Sequence, residues 1–206
     1  MNKLRITLIF SIVVFTLVGV LFIAQDVRSA GPRVLYIGDS FIQRWPTPDS
    51  ITNAGYGGYT CGDILNKFRN LYQGQHFDTI VLWCGTNDVG AGLSDDYYHD
   101  TIRQMIWDFG ASHPQQVILM NMTPPGPQSV TGKPPARVIT ENEWLKNLTQ
   151  TWSLPFKLIY VDAYSAVTGQ DGLLPHNLTD DDTHLNNAGY AIVEQLLKDQ
   201  NLAVFQ

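Results

Sequence analysis

The residues able to do chemistry fall in four short clusters. Gly38-Asp39-Ser40 and Gly85-Thr-Asn-Asp88 each follow an apolar run, Asn53-Ala-Gly-Tyr-Gly-Gly58 follows a weaker strand candidate, and Asp180-Asp-Asp-Thr-His184 precedes the last amphipathic stretch. A serine hydroxyl is a weak nucleophile until an adjacent base takes its proton. Histidine suits that task, and a nearby carboxylate fixes its tautomer and stabilises the imidazolium. An asparagine amide, or a backbone N–H beside a glycine, can donate to an oxyanion. Each cluster also has an ordinary explanation: a helix N-cap, a glycine turn, an Asn-Asp turn, a solvated acidic loop. Three adjacent carboxylates could hold a hard cation, but such a site wants further oxygen ligands at set spacings, and the sequence shows none.

These groups need a frame. Arg33 to Ile37 is a short apolar run that predicts a buried strand, and Ser50 to Asn53 a weaker one. Phe77 to Cys84, Gln116 to Met122 and Phe156 to Asp162 predict three more. Between them, Cys61 to Tyr72 carries Ile64, Leu65, Phe68, Leu71 and Tyr72 at helical spacing. Ser94 caps a second helix striped by Tyr98, Ile102, Met105, Ile106 and Phe109. Ile139 to Trp152 predicts a third, with Trp144, Leu145 and Leu148 buried, and Asn186 starts the last. Pro124 to Pro135, dense in proline and glycine, predicts a loop. Strands alternating with helices of this length predict βαβ units and a parallel sheet covered on both faces. In such sheets functional groups gather at the carboxyl ends of strands. The first three clusters sit there.

In this order, the four clusters resemble the blocks of the GDSL/SGNH hydrolase family. Gly38-Asp39-Ser40-Phe41 is similar to the first block, with Phe41 in place of the leucine that names the family. Asn53-x-Gly55-x-x-Gly58 resembles the second, Gly85-x-Asn87-Asp88 the third and Asp181-x-x-His184 the fifth; the likeness runs over about residues 33–198. The resemblance implies a three-layer α/β/α sandwich with a mostly parallel, flavodoxin-like, five-stranded sheet. It implies a serine esterase that hydrolyses a carboxylic ester through an acyl-serine intermediate, without metal or organic cofactor. Ser40 would be the nucleophile, His184 the base and Asp181 the orienting carboxylate. The N–H groups of Ser40 and Gly58 and the Asn87 amide would form the oxyanion hole, with Asp39 and Asp88 ordering loops. The G-x-S-x-G elbow of the α/β-hydrolases is absent around Ser40. An acyltransferase acting on an envelope glycan would use the same residues. A non-catalytic binding module on this fold is the other alternative.

The remaining features concern location and substrate. Residues 1–30 read as a signal peptide or signal-anchor, and 31–206 as the hydrolase domain. Lys3 and Arg5 precede Ile6 to Ala24, an uncharged run. Its 19 residues, at 1.5 Å each, nearly span a ~30 Å hydrocarbon core. The basic start predicts the N-terminus inside and the domain outside, either secreted, periplasmic or membrane-associated through residues 6–24. The net charge is −6, and no basic run is present, so nucleic acid is not an expected partner. Cys61 and Cys84 read first as buried small side chains, with a disulfide as the alternative that an oxidising compartment would permit. Asn121, Asn147 and Asn177 head glycosylation triplets. The substrate is expected to be a small-molecule ester, a lysophospholipid, an acylated carbohydrate or a short-chain acetyl ester. Lys133 and Arg137 are candidate contacts for an anionic headgroup.

Overall fold

Five strands form, and the three central ones are apolar because both of their faces are buried. In a computed structural model, which describes residues 31–200 and Leu202, the five are β1 (Val34–Gly38), β2 (Ile51–Gly55), β3 (Thr79–Trp83), β4 (Gln116–Met120) and β5 (Lys157–Val161). The expected export segment 1–30 lies outside the described residues. All four strand pairings are parallel, in the order β2-β1-β3-β4-β5. That is the order of flavodoxin-like sheets. Among the described residues seven α-helices accompany them: α1 (Ser40–Gln43), α2 (Cys61–Leu71), α3 (Thr86–Gly90), α4 (Asp95–Phe109), α5 (Pro135–Thr151), α6 (Ala163–Val167) and α7 (Asn187–Asp199). The structure is the expected α/β fold.

Alternate residues of the central strands feed two separate cores. Leu35, Ile37, Ile80, Leu82, Val117 and Leu119 pack with Ile64 and Phe68 of α2, Ile102 and Ile106 of α4, and Leu145 of α5. Tyr36, Val81, Trp83, Ile118, Met120 and Val161 pack with Phe41 and Ile42 of α1, Val167 of α6, and Tyr190, Val193 and Leu197 of α7. Strands covered on both sides need no polar alternation, which is why they read as continuous apolar runs. Each fully buried aliphatic side chain contributes roughly 1.5–3 kcal/mol of transfer free energy.

The structure departs from the sequence expectations in α2 and α5. In the connection from β1 to β2 the helix α1 has only four residues, a turn shaped by the site and not by a hydrophobic stripe. Leu71, expected on the buried face of α2, is 50% exposed, because α2 ends there. Helix α5 begins at Pro135, at its first position where proline's missing N–H costs nothing. It buries Glu141 and Asn142, while Trp144 is only half-buried. The Asn142 side chain accepts from Met122 N–H at 2.9 Å and donates to Met122 C=O at 2.8 Å, pinning the chain that leaves β4.

Candidate active site

Ser40 is placed by a chain forced to turn at the end of β1. The Asp39 N–H donates to the Trp83 carbonyl at 3.1 Å, continuing the β1–β3 ladder by one residue. Asp39 then caps α1, its Oδ1 accepting from Phe41 N–H at 2.9 Å. Ser40 is the first residue of that helix, so its own N–H has no acceptor within the helix. Asn53 steadies the same turn by donating to the Ile42 carbonyl at 2.9 Å, and the Tyr190 hydroxyl donates to the Phe41 carbonyl at 2.7 Å.

His184 arrives from the other end of the chain, on the loop before α7. Its Nε2 lies 2.7 Å from Ser40 Oγ. Its Nδ1 lies 2.7 Å from Asp181 Oδ2. The aspartate's other oxygen, Oδ1, accepts the backbone N–H groups of Thr183 at 3.1 Å and His184 at 2.7 Å. That curl requires Asp182 to adopt φ 59, the left-handed region that aspartate tolerates better than most residues. Of the three consecutive aspartates, Asp181 alone meets the His184 ring, as the three-residue offset implies. The Phe41 ring packs beside the imidazole, with centroids 5.5 Å apart. Arg44 was not singled out by the sequence, yet its Nη1 donates to Asp181 Oδ2 at 3.0 Å. No motif announces it, because the contact joins residues 137 positions apart.

The two glycine-bearing loops converge from opposite sides of β1. Gly58 has φ 79, which admits glycine without strain, and a side chain would have open space there, so the backbone stands bare. Gly85 has φ 121 and starts α3, which carries Asn87 in its first turn. The Asn87 amide donates to the Tyr59 carbonyl at 2.9 Å. Its second N–H is directed away from that bond by the planar geometry of the amide. Asp88 Oδ2 accepts the Cys61 N–H at 2.9 Å. Cys61 and Cys84 are disulfide-bonded, with Cα atoms 5.6 Å apart. The first reading of them as unlinked buried side chains is thereby corrected: the start of α2 and the end of β3 bring them within bonding reach, which linear sequence does not express. Asp39 and Asp88 order loops, as expected.

Burial dominates the electrostatics. His184 is held below its ordinary pKa first by desolvation, with Arg44 and Lys133 adding to the effect and Asp181 opposing it. Burial alone would raise Asp181, but the hydrogen bonds from the His184 and Thr183 N–H groups and from the ring outweigh it, and its pKa falls well below the carboxylate range. The ground state is therefore a neutral imidazole between a hydroxyl and an ionised carboxylate. Asp39, fully buried with Oδ2 unpaired, is pushed up to about 7. Asp88 is raised to about 6, again first by burial. Of the two candidate headgroup contacts, Arg137 is engaged elsewhere: it donates to the Leu93 carbonyl and pairs with Asp95 at 3.0 Å. Lys133 remains beside the site, its Nζ donating to Thr183 Oγ1 at 3.3 Å. Among the described residues, no group of three or more His, Cys, Asp or Glu side chains could hold a metal ion. Asn121 is buried and donates to Tyr160 and Asp162, so its triplet is closed to a glycan.

The profile of the GDSL-like Lipase/Acylhydrolase family matches residues 24–192. The chain belongs to that family. Membership makes it a hydrolase whose general reaction is the cleavage of acyl esters. Among solved structures, this GDSL-like chain is similar to a Bacteroides fragilis protein assigned as an acylhydrolase, at 26% identity and a TM-score of 0.71, over 82% of this chain and 86% of that one. It is similar also to a GDSL-like lipase from Bacteroides thetaiotaomicron, at 25% identity and 0.70, over 82% and 87%. A Streptococcus pneumonia protein described in terms of platelet activating factor shares the fold at 23% identity and 0.70, over 97% and 99%. No curated protein gives a significant match to the GDSL-like chain.

Proposed function

We propose that this chain is a serine carboxylic-ester hydrolase in which Ser40 is the nucleophile, His184 the general base and acid, and Asp181 the orienting carboxylate. The observation that carries the reading is the continuous run from Ser40 Oγ through the His184 ring to Asp181, with both contacts at 2.7 Å. Ser40 Oγ attacks the ester carbonyl carbon as His184 Nε2 takes the hydroxyl proton. The Asp181 carboxylate holds the Nδ1 proton and stabilises the imidazolium. The carbonyl oxygen becomes an oxyanion facing the Ser40 N–H, the Gly58 N–H and the Asn87 amide. Collapse breaks the bond to the alcohol, which leaves with the proton from Nε2. Water then attacks the acyl-serine, His184 takes its proton, and the acid departs as Ser40 is regenerated. Labelling the full chain with a fluorophosphonate and locating the adduct by mass spectrometry tests this reading. The adduct is expected on Ser40; an adduct elsewhere, or none, refutes the assignment.

The compartment is part of the same proposal. The Lys3/Arg5 start, the uncharged run 6–24 and the Cys61–Cys84 bridge all favour an extracytoplasmic domain, since disulfides persist in oxidising compartments. Fractionation of cells expressing the full chain should recover the esterase outside the cytoplasmic membrane or bound to its outer face.

A further inference from the structure

The edge of the sheet opposite Ser40 carries an apolar groove. Its volume is about 370 Å³, and Gln73, Trp107, Ala111, Leu154 and Phe156 are among the residues that line it. These follow α2, end α4 and precede β5, so the groove lies at the amino ends of the strands. The chain leaving α4 comes close there to the chain entering β5: a Cβ on Gly110 would stand 3.7 Å from Phe156 Cε1. Trp107 is 71% exposed, more than any other large apolar side chain among the described residues. Leu71, which ends α2 two positions before Gln73, is 50% exposed.

The chain from the uncharged run 6–24 enters at this same edge. A row of backbone bonds crosses it just ahead of the strands. Asp78 N–H donates to the Arg33 carbonyl at 2.8 Å, Gln115 N–H to the Asp78 carbonyl at 2.9 Å, and Lys157 N–H to the Gln115 carbonyl at 3.0 Å. That row ties the entering chain to the groove, since Lys157 directly follows Phe156. Ten chain steps separate Ala24 from Val34, and ten extended residues reach at most about 36 Å. A bilayer holding the run therefore stands within that distance of this edge. Tryptophan concentrates at membrane–water boundaries, where its ring and its N–H are both accommodated. Arg33 and Lys157 are exposed on the edge, and cations so placed attract anionic headgroups. The acidic residue lining the groove, Asp108, is paired with Arg69 at 2.6 Å. Asp78, on the same edge, accepts from Arg33 N–H at 2.8 Å and from the Gln115 amide at 3.1 Å.

We propose that the groove and Trp107 form a membrane-contact face, seated on the headgroups of the bilayer that the uncharged run enters. Trp107 is its anchor, and Arg33 and Lys157 meet the lipid phosphates. The inference rests on the extracytoplasmic reading above, not on the Ser40 chemistry, and goes beyond that reading by naming the face that meets the lipid. Each strand of five residues is about 17 Å long, and Ser40 stands past the far end of β1. The candidate site is then held off the bilayer and opens away from it.

The test uses the full chain reconstituted into vesicles of phosphatidylcholine and phosphatidylglycerol. Flotation shows whether the chain is held by the lipid. Replacing the phosphatidylcholine by a form brominated near the top of its acyl chains quenches any tryptophan that reaches them. The parent chain is expected to float and to be quenched, and Trp107→Phe to float and lose most of that quenching. Ala111→Asp keeps the tryptophan but sets a charge in the groove at an exposed position, and should weaken the quenching. Circular dichroism checks that both variants are folded; if Trp107→Phe is not, Ala111→Asp decides. Quenching unchanged in the folded variants, with the chain still floating, overturns the face and leaves the compartment reading standing. A second copy of the chain on the groove would shield Trp107 without bromine quenching, and the shielding would fade as lipid is added in excess; that result also overturns it. A full chain that stays out of the lipid fraction refutes the anchoring run and this face together.

Discussion

Cys61 is bonded to Cys84, and the bond joins the two segments that carry Gly58 and Asn87. Cys61 lies three residues after Gly58, and Cys84 three residues before Asn87. The Asn87–Tyr59 and Asp88–Cys61 hydrogen bonds, both 2.9 Å, cross the same gap. Three links therefore hold two backbone loops at a fixed separation. Preorganised donors are what an oxyanion requires, because loops that must reorder during the reaction forfeit the stabilisation.

Reduction of that bridge should cost stability and turnover together. Closing a loop between residues 23 apart removes chain entropy worth about 3 kcal/mol in the chain-entropy model. Cys61→Ala/Cys84→Ala should unfold at lower denaturant concentration by that margin, measured by urea titration. Its kcat should fall more than its KM rises. A double variant as stable as the parent would refute the estimate.

Asn87→Ala should lower kcat by about 100- to 1000-fold with KM little changed, the usual cost of one oxyanion donor. Steady-state kinetics on an acetyl ester measures it. Asn87 also steadies Tyr59, so the variant's melting temperature is to be measured alongside.

Asp181→Asn should lower kcat by about 10,000-fold, by analogy with serine hydrolases in which the same change leaves geometry intact. The asparagine Oδ1 can still accept the Thr183 and His184 N–H groups. Its amide, facing Nδ1, donates where the carboxylate accepted. His184 is then held as the tautomer with its proton on Nε2, and cannot take the one on Ser40.

On the proposed mechanism the acid limb of the pH profile belongs to His184, which can act as base only when neutral. The ordinary histidine value of about 6.5 would place that limb near neutrality. Burial and two nearby cations lower it, so kcat/KM should hold level to a more acid pH before falling. Arg44→Gln removes one of those cations and should move the limb to higher pH. A limb that moves to lower pH, or stays, contradicts the geometry.

Asp39→Asn should change the pH dependence of stability. The native carboxyl titrates at about 7 because it is fully buried, against the ordinary 3.8 of an exposed aspartate. Between those two values the native state binds the proton and the unfolded state does not, so stability falls as pH rises through this window. The stabilising contribution is complete below the unfolded value and lost above the folded one. Asparagine cannot ionise, and its Oδ1 can still accept from Phe41 N–H. Melting temperature should therefore be higher than the parent's at pH 8 and near it at pH 4.

Sequence by itself determined the sheet and the residue types of the candidate site. Strands buried on both faces must be apolar throughout, so β1, β3 and β4 were visible as runs. Backbone turns at strand ends demand glycine, and the proposed chemistry calls for Ser40, Asn87 and His184, so the motifs were visible as types in order. Only the tertiary structure decided which distant residues meet. Arg44 reaches Asp181 across 137 positions, Cys61 finds Cys84, and Lys133 meets Thr183. None of these contacts leaves a periodicity or a spacing, because each depends on where two loops stand after the sheet has packed. The sequence specifies the residue types of the candidate site, and packing specifies which of them touch.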